Sequence, residues 1–316
     1  MRSATYAALC LLASSSVQAA QLAPGCAKKH NSGFHDDPET HSLQSGNWTR
    51  NYGIRVPDGY NDHLGKKWPL IVDYHGKNGS PSNQYKVSLF DQYPKGQKYL
   101  AVYPAGVEKA WQGPSYAVEG VDDLQFTTDL LAHLRENYCI DDNRIYASGK
   151  SNGGGFVDLL ACSDNGDEFA AFAMAAAALY TDVEYSGCPK RRAILESHGE
   201  KDETIPYHPT GPGSGGPLPD VGEWVGWWGK RDGRDPVKDR EVSGDRGGYD
   251  VTSYSCRGFR NVVQHYRVYE LGHCWPDSTG DSADSKRDDC KDRSLDFTRT
   301  VLNFFGGWDL KKAPEN

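Results

Sequence analysis

The chain has 316 residues, a formal charge of −8 at pH 7 and no block of basic residues. An acidic chain of this kind is repelled by a phosphate backbone, which argues against nucleic-acid binding. No stretch approaches the roughly 20 apolar residues of a membrane-spanning helix, so no membrane partner is expected.

The N-terminus reads as a secretory signal. Arg2 supplies a positive start, Ala4 to Ser14 an apolar stretch, and Val17-Gln18-Ala19 a small-residue cleavage site. Cleavage is expected after Ala19, leaving 20–316 as a single catalytic domain. Loss of Arg2 moves the charge from −8 to −9, and loss of Cys10 leaves seven of the eight cysteines. An oxidising compartment favours disulfides, although spacing does not dictate connectivity. Cys274 and Cys290 bracket a short polar loop and are expected to pair. Cys139 and Cys162 flank the strand and helix at the centre of the chain and form a second expected pair. Cys26 with Cys188 completes the set, leaving Cys256 over. No C-x-x-C spacing occurs, and no metal site or cofactor is expected. Two N-glycosylation sequons occur, at Asn47 and Asn78, and only Asn47 is expected to be modified, because Asn78 falls in a loop assigned below to the active site.

In chain order, Asn51 to Val56 reads as an early strand that Pro57 ends. Trp68 to Tyr74 and Tyr99 to Pro104 are short, nearly continuous apolar runs, as in buried strands. Leu130, Leu131, Leu134 and Tyr138 have helical spacing. A strand from Arg144 leads into Gly149-Lys150-Ser151-Asn152-Gly153, then into a helix and an alanine-rich stretch, 170–178. Ala193 to His198 and Val262 to Leu271 are further strands, and Phe297, Val301, Leu302 and Phe305 mark a closing amphipathic helix. Strands alternating with helices predict an α/β fold with a mainly parallel sheet covered on both faces. The stretch 209–250 differs: it is glycine- and proline-rich, then carries Trp224, Trp227 and Trp228 on a short helix, then turns charged. It reads as an irregular insertion.

Gly149-Lys150-Ser151-Asn152-Gly153 is a G-x-S-x-G nucleophile elbow, in which small residues let a strand and helix pass closely while the serine hydroxyl is lifted above the sheet. The motif alone is weak evidence, and its place between a strand and a helix strengthens it. A serine needs a base, and the base needs an orienting acid. In this fold class the order is Ser, then Asp or Glu, then His. Asp202 follows the strand ending at His198 and is the expected acid, with Glu203 as alternative. His273 follows the last strand and precedes the closing helix, which makes it the expected base. Of the others, His30, His35 and His41 lie before the first strand, His133 on a helix and His265 inside a strand. The oxyanion donors are expected to be the N–H of Asn152 and a second N–H from the loop Asp73 to Gly79, with Lys77 first and Gly76 next. His75 is expected to fix that loop.

The elbow, the His75-Gly76 loop, His198-Gly-x-x-Asp202 before Ile205-Pro-Tyr207, and Gly272-His273-Cys-Trp-Pro276 occur together in one order. This set resembles the secreted carbohydrate esterases of family 1, especially fungal feruloyl esterases and their bacterial polyhydroxybutyrate-depolymerase-like relatives. Gly25-Cys26-Ala-Lys28, Tyr103-Pro104-Ala-Gly106, Trp111 and Val121-Asp122-Asp123 add to the likeness, which runs from about Cys26 to Trp308. It implies an α/β-hydrolase fold and a metal-free serine esterase. The implied substrate is a feruloyl or other hydroxycinnamoyl ester on arabinoxylan or a related cell-wall polysaccharide. Some similar esterases carry a cysteine where this chain reads Trp227-Trp-Gly-Lys-Arg231, which would account for a leftover Cys256, and the family pattern fades over 209–250. An aromatic acyl group wants a flat apolar slot, for which Trp111 and Trp275 are the candidates. The expected working unit is a monomer. Alternatives are an acetylxylan esterase or short-chain polyester depolymerase with the same triad, or a secreted binding protein on a retired hydrolase fold.

Overall fold

The computed structural model describes residues 23–232, 237–243, 248–256 and 258–314, so the expected signal 1–19 lies outside the described residues. In chain order the strands and helices are β1 (Gly33–His35), β2 (Ser42–Ser45), β3 (Trp48–Val56), β4 (Trp68–Tyr74), α1 (Pro81–Ser88), β5 (Leu100–Pro104), α2 (Asp123–Asn137) and β6 (Ile140–Lys150). They continue with α3 (Asn152–Ala161), β7 (Ala171–Ala175), β8 (Ile194–Gly199), α4 (Val221–Asp232), β9 (Val237–Ser243), β10 (Tyr249–Cys256), β11 (Phe259–Val268) and α5 (Phe297–Phe305).

One sheet runs in the order β1-β3-β5-β4-β6-β7-β8-β11-β10-β9, with β2 paired to β3. The centre, from β5 to β11, is parallel. Its two flanks are antiparallel. This is the α/β-hydrolase fold. Every residue of β4 is buried, as a strand covered on both faces requires. Side-chain caps start the covering helices: Ser80 accepts from Asn83 N–H, Asp122 from Gln125 N–H, and Asp296 from Arg299 N–H. Phe126, Leu130, Leu131 and Leu134 then bury one face of α2, and Phe297, Val301, Leu302 and Phe305 one face of α5.

The disulfides differ from the expected set at two of three places. Cys274 bonds Cys290, but Cys26 bonds Cys139 and Cys162 bonds Cys188. The expected Cys139–Cys162 and Cys26–Cys188 pairs do not form, for a reason of length. The 11 residues of β6 carry the chain about 36 Å from the Cys139 end to the elbow. The 10 residues of α3 bring it back only about 15 Å, so Cys162 stops far short of Cys139. Cys139 instead meets the N-terminal turn, where a side chain on Gly25 would strike the Tyr138 carbonyl at 2.4 Å.

Within 209–250, α4 is regular and β9 joins the sheet edge, so the stretch is less irregular than expected. Trp224 and Trp228 are wholly buried, and both indole N–H groups donate to the Asp158 carboxylate of α3, at 3.4 and 3.1 Å. Asn47 stands exposed at the turn between β2 and β3.

Candidate active site

The carboxyl ends of the parallel strands bring the predicted residues together. Ser151 sits between β6 and α3 at φ 56°, ψ −121°. A non-glycine residue there costs on the order of 1–3 kcal/mol, which the close packing around it must offset. That packing needs glycine. A Cβ on Gly149 would lie 2.6 Å from the Gly153 carbonyl carbon, and one on Gly153 would lie 2.1 Å from the Tyr74 carbonyl oxygen. Ala175 and Ala178 fix the serine backbone: Ser151 N–H donates to the Ala175 carbonyl, and the Ser151 carbonyl accepts from Ala178 N–H.

His273 follows β11 on a loop. Its Nε2 lies 2.7 Å from Ser151 Oγ, and its Nδ1 lies 2.7 Å from Asp202 Oδ2. Asp202 follows β8, and its Oδ1 accepts from Thr204 N–H and Ile205 N–H, each at 2.8 Å. With Asp202 an acceptor, Nδ1 carries the imidazole proton and Nε2 is free to accept from the serine. Burial pulls the His273 pKa below 6.5, more than the Asp202 carboxylate raises it. Burial would raise the Asp202 pKa, but His198 and His273 outweigh it and hold this carboxyl well below the usual range. Glu203, the alternative acid, points to solvent.

Behind Asp202 lies a buried chain that the sequence reading did not find. His198 Nδ1 is 3.0 Å from Glu196 Oε1, and its Nε2 is 2.8 Å from the Ile205 carbonyl and 3.4 Å from Asp202 Oδ2. Both ring nitrogens face acceptors, so both carry protons and the ring is an imidazolium. Burial opposes that charge, but Glu196 and then Asp202 overcome it and push the His198 pKa up to about 10. Burial likewise disfavours the Glu196 carboxylate, and His198 reverses this, bringing its pKa down to about 2. His265 Nδ1 lies 2.7 Å from Glu196 Oε2, off the line of a well-formed hydrogen bond, and Tyr207 closes the chain at 2.9 Å from His265 Nε2. The alternation Glu196, His198 along β8 puts both side chains on one face, a visible signal in hindsight.

The expected oxyanion loop passes beside Ser151. A Cβ on Gly76, the second choice in that loop, would lie 3.2 Å from Ser151 Cβ and 3.8 Å from its Oγ. Asn152 opens α3, so its N–H has no earlier helical turn to bond. His75 fixes the loop as expected: Nδ1–H donates to the Gly76 carbonyl, and Nε2 accepts from Gly106 N–H at 3.0 Å. Burial lowers the His75 pKa to about 4, keeping the ring neutral.

Trp111 and Trp275 are not slot residues. They are 0% and 1% exposed, so neither ring offers a face to an acyl group. Their indole N–H groups are spent on the His75 carbonyl and on Thr298 Oγ1. Trp111 instead clasps Asn152: its N–H donates to Asn152 Oδ1 at 2.8 Å, and Asn152 Nδ2 donates to its carbonyl at 3.2 Å.

No family model matches the chain. The chain is similar to feruloyl esterase B of Piromyces equi, with 29% identity over 163 residues, covering 49% of this chain and 30% of that protein. Feruloyl esterase D of Neurospora crassa is 26% identical over 218 residues, covering 65% of this chain and 70% of that protein. A bifunctional acetylxylan esterase/xylanase of Neocallimastix patriciarum is 26% identical over 145 residues, 46% of this chain and 21% of that protein. The chain thus matches less than a third of the length of two of these relatives. Among solved structures, an acetyl xylan esterase from Aspergillus awamori superposes with a TM-score of 0.56 at 14% identity, over 87% of this chain and 99% of that one. That likeness shows the fold alone.

Proposed function

We propose that the protein is a secreted serine esterase that releases feruloyl or related hydroxycinnamoyl groups from plant cell-wall polysaccharide. The observation that carries this reading is the continuous relay from Ser151 Oγ through His273 to Asp202, with both links at 2.7 Å. The feruloyl esterases among its relatives direct the substrate choice. Three disulfides and the absence, among the described residues, of any helix long and apolar enough to cross a membrane agree with secretion.

In this mechanism His273 Nε2 takes the Ser151 proton as Oγ attacks the ester carbonyl carbon. The carbonyl π electrons move to oxygen, where the N–H groups of Lys77 and Asn152 hold the negative charge. Asp202 stabilises the imidazolium. The tetrahedral species collapses, the carbon–oxygen bond to the sugar breaks, and His273 returns the proton to the leaving alcohol. Water, deprotonated by His273, then attacks the acyl-enzyme, and carboxylic acid and free Ser151 result. An acetylxylan esterase is the second reading, supported by the acetylxylan esterase among the relatives.

Acid release from methyl ferulate and from p-nitrophenyl acetate, wild type beside Ser151→Ala, tests both. Serine-dependent ferulate release supports the feruloyl reading. Acetate release alone moves the assignment to the acetyl class, and no serine-dependent hydrolysis of either overturns it.

A further inference from the structure

We propose that Lys150 and Asp284 form an electrostatic clamp that positions Ser151 against His273; this rests on the serine-esterase reading. Lys150 is the variable residue of the elbow, directly before the nucleophile. It is only 8% exposed, and its Nζ lies 2.9 Å from Asp284 Oδ2. The same oxygen accepts from Trp275 N–H at 2.8 Å, two residues after the base. One carboxylate therefore holds the strand carrying the nucleophile and the loop carrying the base.

The far side of the clamp is anchored. Asp284 belongs to a loop closed by the Cys274–Cys290 disulfide. Asp277 braces that loop by accepting from Ser282 N–H and Ser285 Oγ–H, at 2.8 and 2.9 Å. Ser282 Oγ–H donates to the Val87 carbonyl, and Ala283 N–H to the Lys86 carbonyl, both on α1. Trp275, through its indole N–H on Thr298, ties the loop to α5.

A buried ion pair adds little stability over a well-packed apolar pair, so a pair at this place is better explained by what it aligns. It also acts on charge. The charged groups that act on His273 are Asp202 and His198, from β8 and its loop, and Lys150 from β6; Asp284 meets Lys150. Lys150 opposes formation of the imidazolium, and Asp284 is the carboxylate that pairs with Lys150.

The test uses the full chain and follows the rate of Ser151 labelling by a fluorophosphonate between pH 4 and 9, with thermal unfolding as the check of folding. Lys150→Met is expected to slow labelling roughly 10- to 100-fold, the scale of a misplaced reacting group. It also leaves Asp284 unbalanced and moves the acid limb to higher pH. Asp284→Asn leaves Lys150 unbalanced and moves the limb to lower pH. The double variant brings the limb back while the rate stays depressed, and Lys150→Arg restores most of the rate. A merely structural pair would slow labelling without opposite limb shifts. A folded Lys150→Met protein that labels at the wild-type rate with an unmoved limb overturns the clamp. A wild type that never labels overturns the hydrolase reading and the clamp with it.

Discussion

Replacing His198 with glutamine tests the charge state inferred for the buried chain behind Asp202. His198 and Glu196 are both fully buried. The rise of the His198 pKa from 6.5 to about 10 is worth on the order of 5 kcal/mol, and the fall of Glu196 from 4.5 to about 2 on the order of 3 kcal/mol. Both largely express one contact, so the smaller value, on the order of 3 kcal/mol, is the sounder estimate. The sign follows from linkage. A raised histidine pKa stabilises the fold fully below pH 6.5, and the stabilisation fades as pH rises through about 10. Urea unfolding of wild type and His198→Gln at intervals from pH 6 to 10 is the assay. The gap between the two proteins should be largest near pH 6 and shrink towards pH 10. A gap that stays constant over this range would mean a neutral His198, and the reasoning from its two acceptors would be wrong.

Other outcomes follow from the same geometry. Asp202→Asn should lower kcat by roughly 10³- to 10⁴-fold, because an amide can hold the wrong His273 tautomer; stopped assays on methyl ferulate measure it. In the wild type the acid limb of kcat/KM should lie below pH 6.5, since burial lowers the His273 pKa and the base stays deprotonated further into acid. Burial raises the Asp73 carboxyl to about pH 6, against hydrogen bonds from Ser148 and Gln84. This group therefore destabilises the fold progressively from pH 3.8 to above 6, by on the order of 3 kcal/mol at pH 7. Asp73→Asn should raise Tm at pH 8 and leave it nearly unchanged at pH 4. Removing the Cys26–Cys139 bridge, which spans 113 residues, should cost about 4–5 kcal/mol in chain entropy, read from denaturant midpoints under non-reducing conditions.

The order Ser151, Asp202, His273 was readable because each residue follows a strand whose apolar run is visible in one dimension. The parallel centre of the sheet was readable for the same reason. The edge strands were not: β1 and β2 are three and four residues long, and β10 is partly exposed, so none shows a buried run. Disulfide pairing failed because it depends on how far α3 retraces β6, a difference in rise per residue that spacing along the chain conceals. Trp111 and Trp275 misled because neither a place on a loop after a strand, as for Trp111, nor adjacency to His273, as for Trp275, says which way a side chain turns. Here both turn into the core. His198 was noticed only as part of a motif, since its charge depends on Glu196 and the Ile205 carbonyl, which meet it only after folding.

The backbone at Ser151 sets function against stability. Ser151, the proposed nucleophile, occupies a conformation that glycine adopts freely, and nothing in folding requires a side chain there. Ser151→Gly should therefore be inactive yet melt at a higher temperature than Ser151→Ala, which keeps the Cβ and its strain. Gly149 and Gly153 stand the other way round: they touch no reacting atom, yet a single methyl on either would push the strand and helix apart. Selection for robustness alone would erase the serine and preserve its neighbours, so the hydroxyl at this position marks a demand that the fold itself does not make.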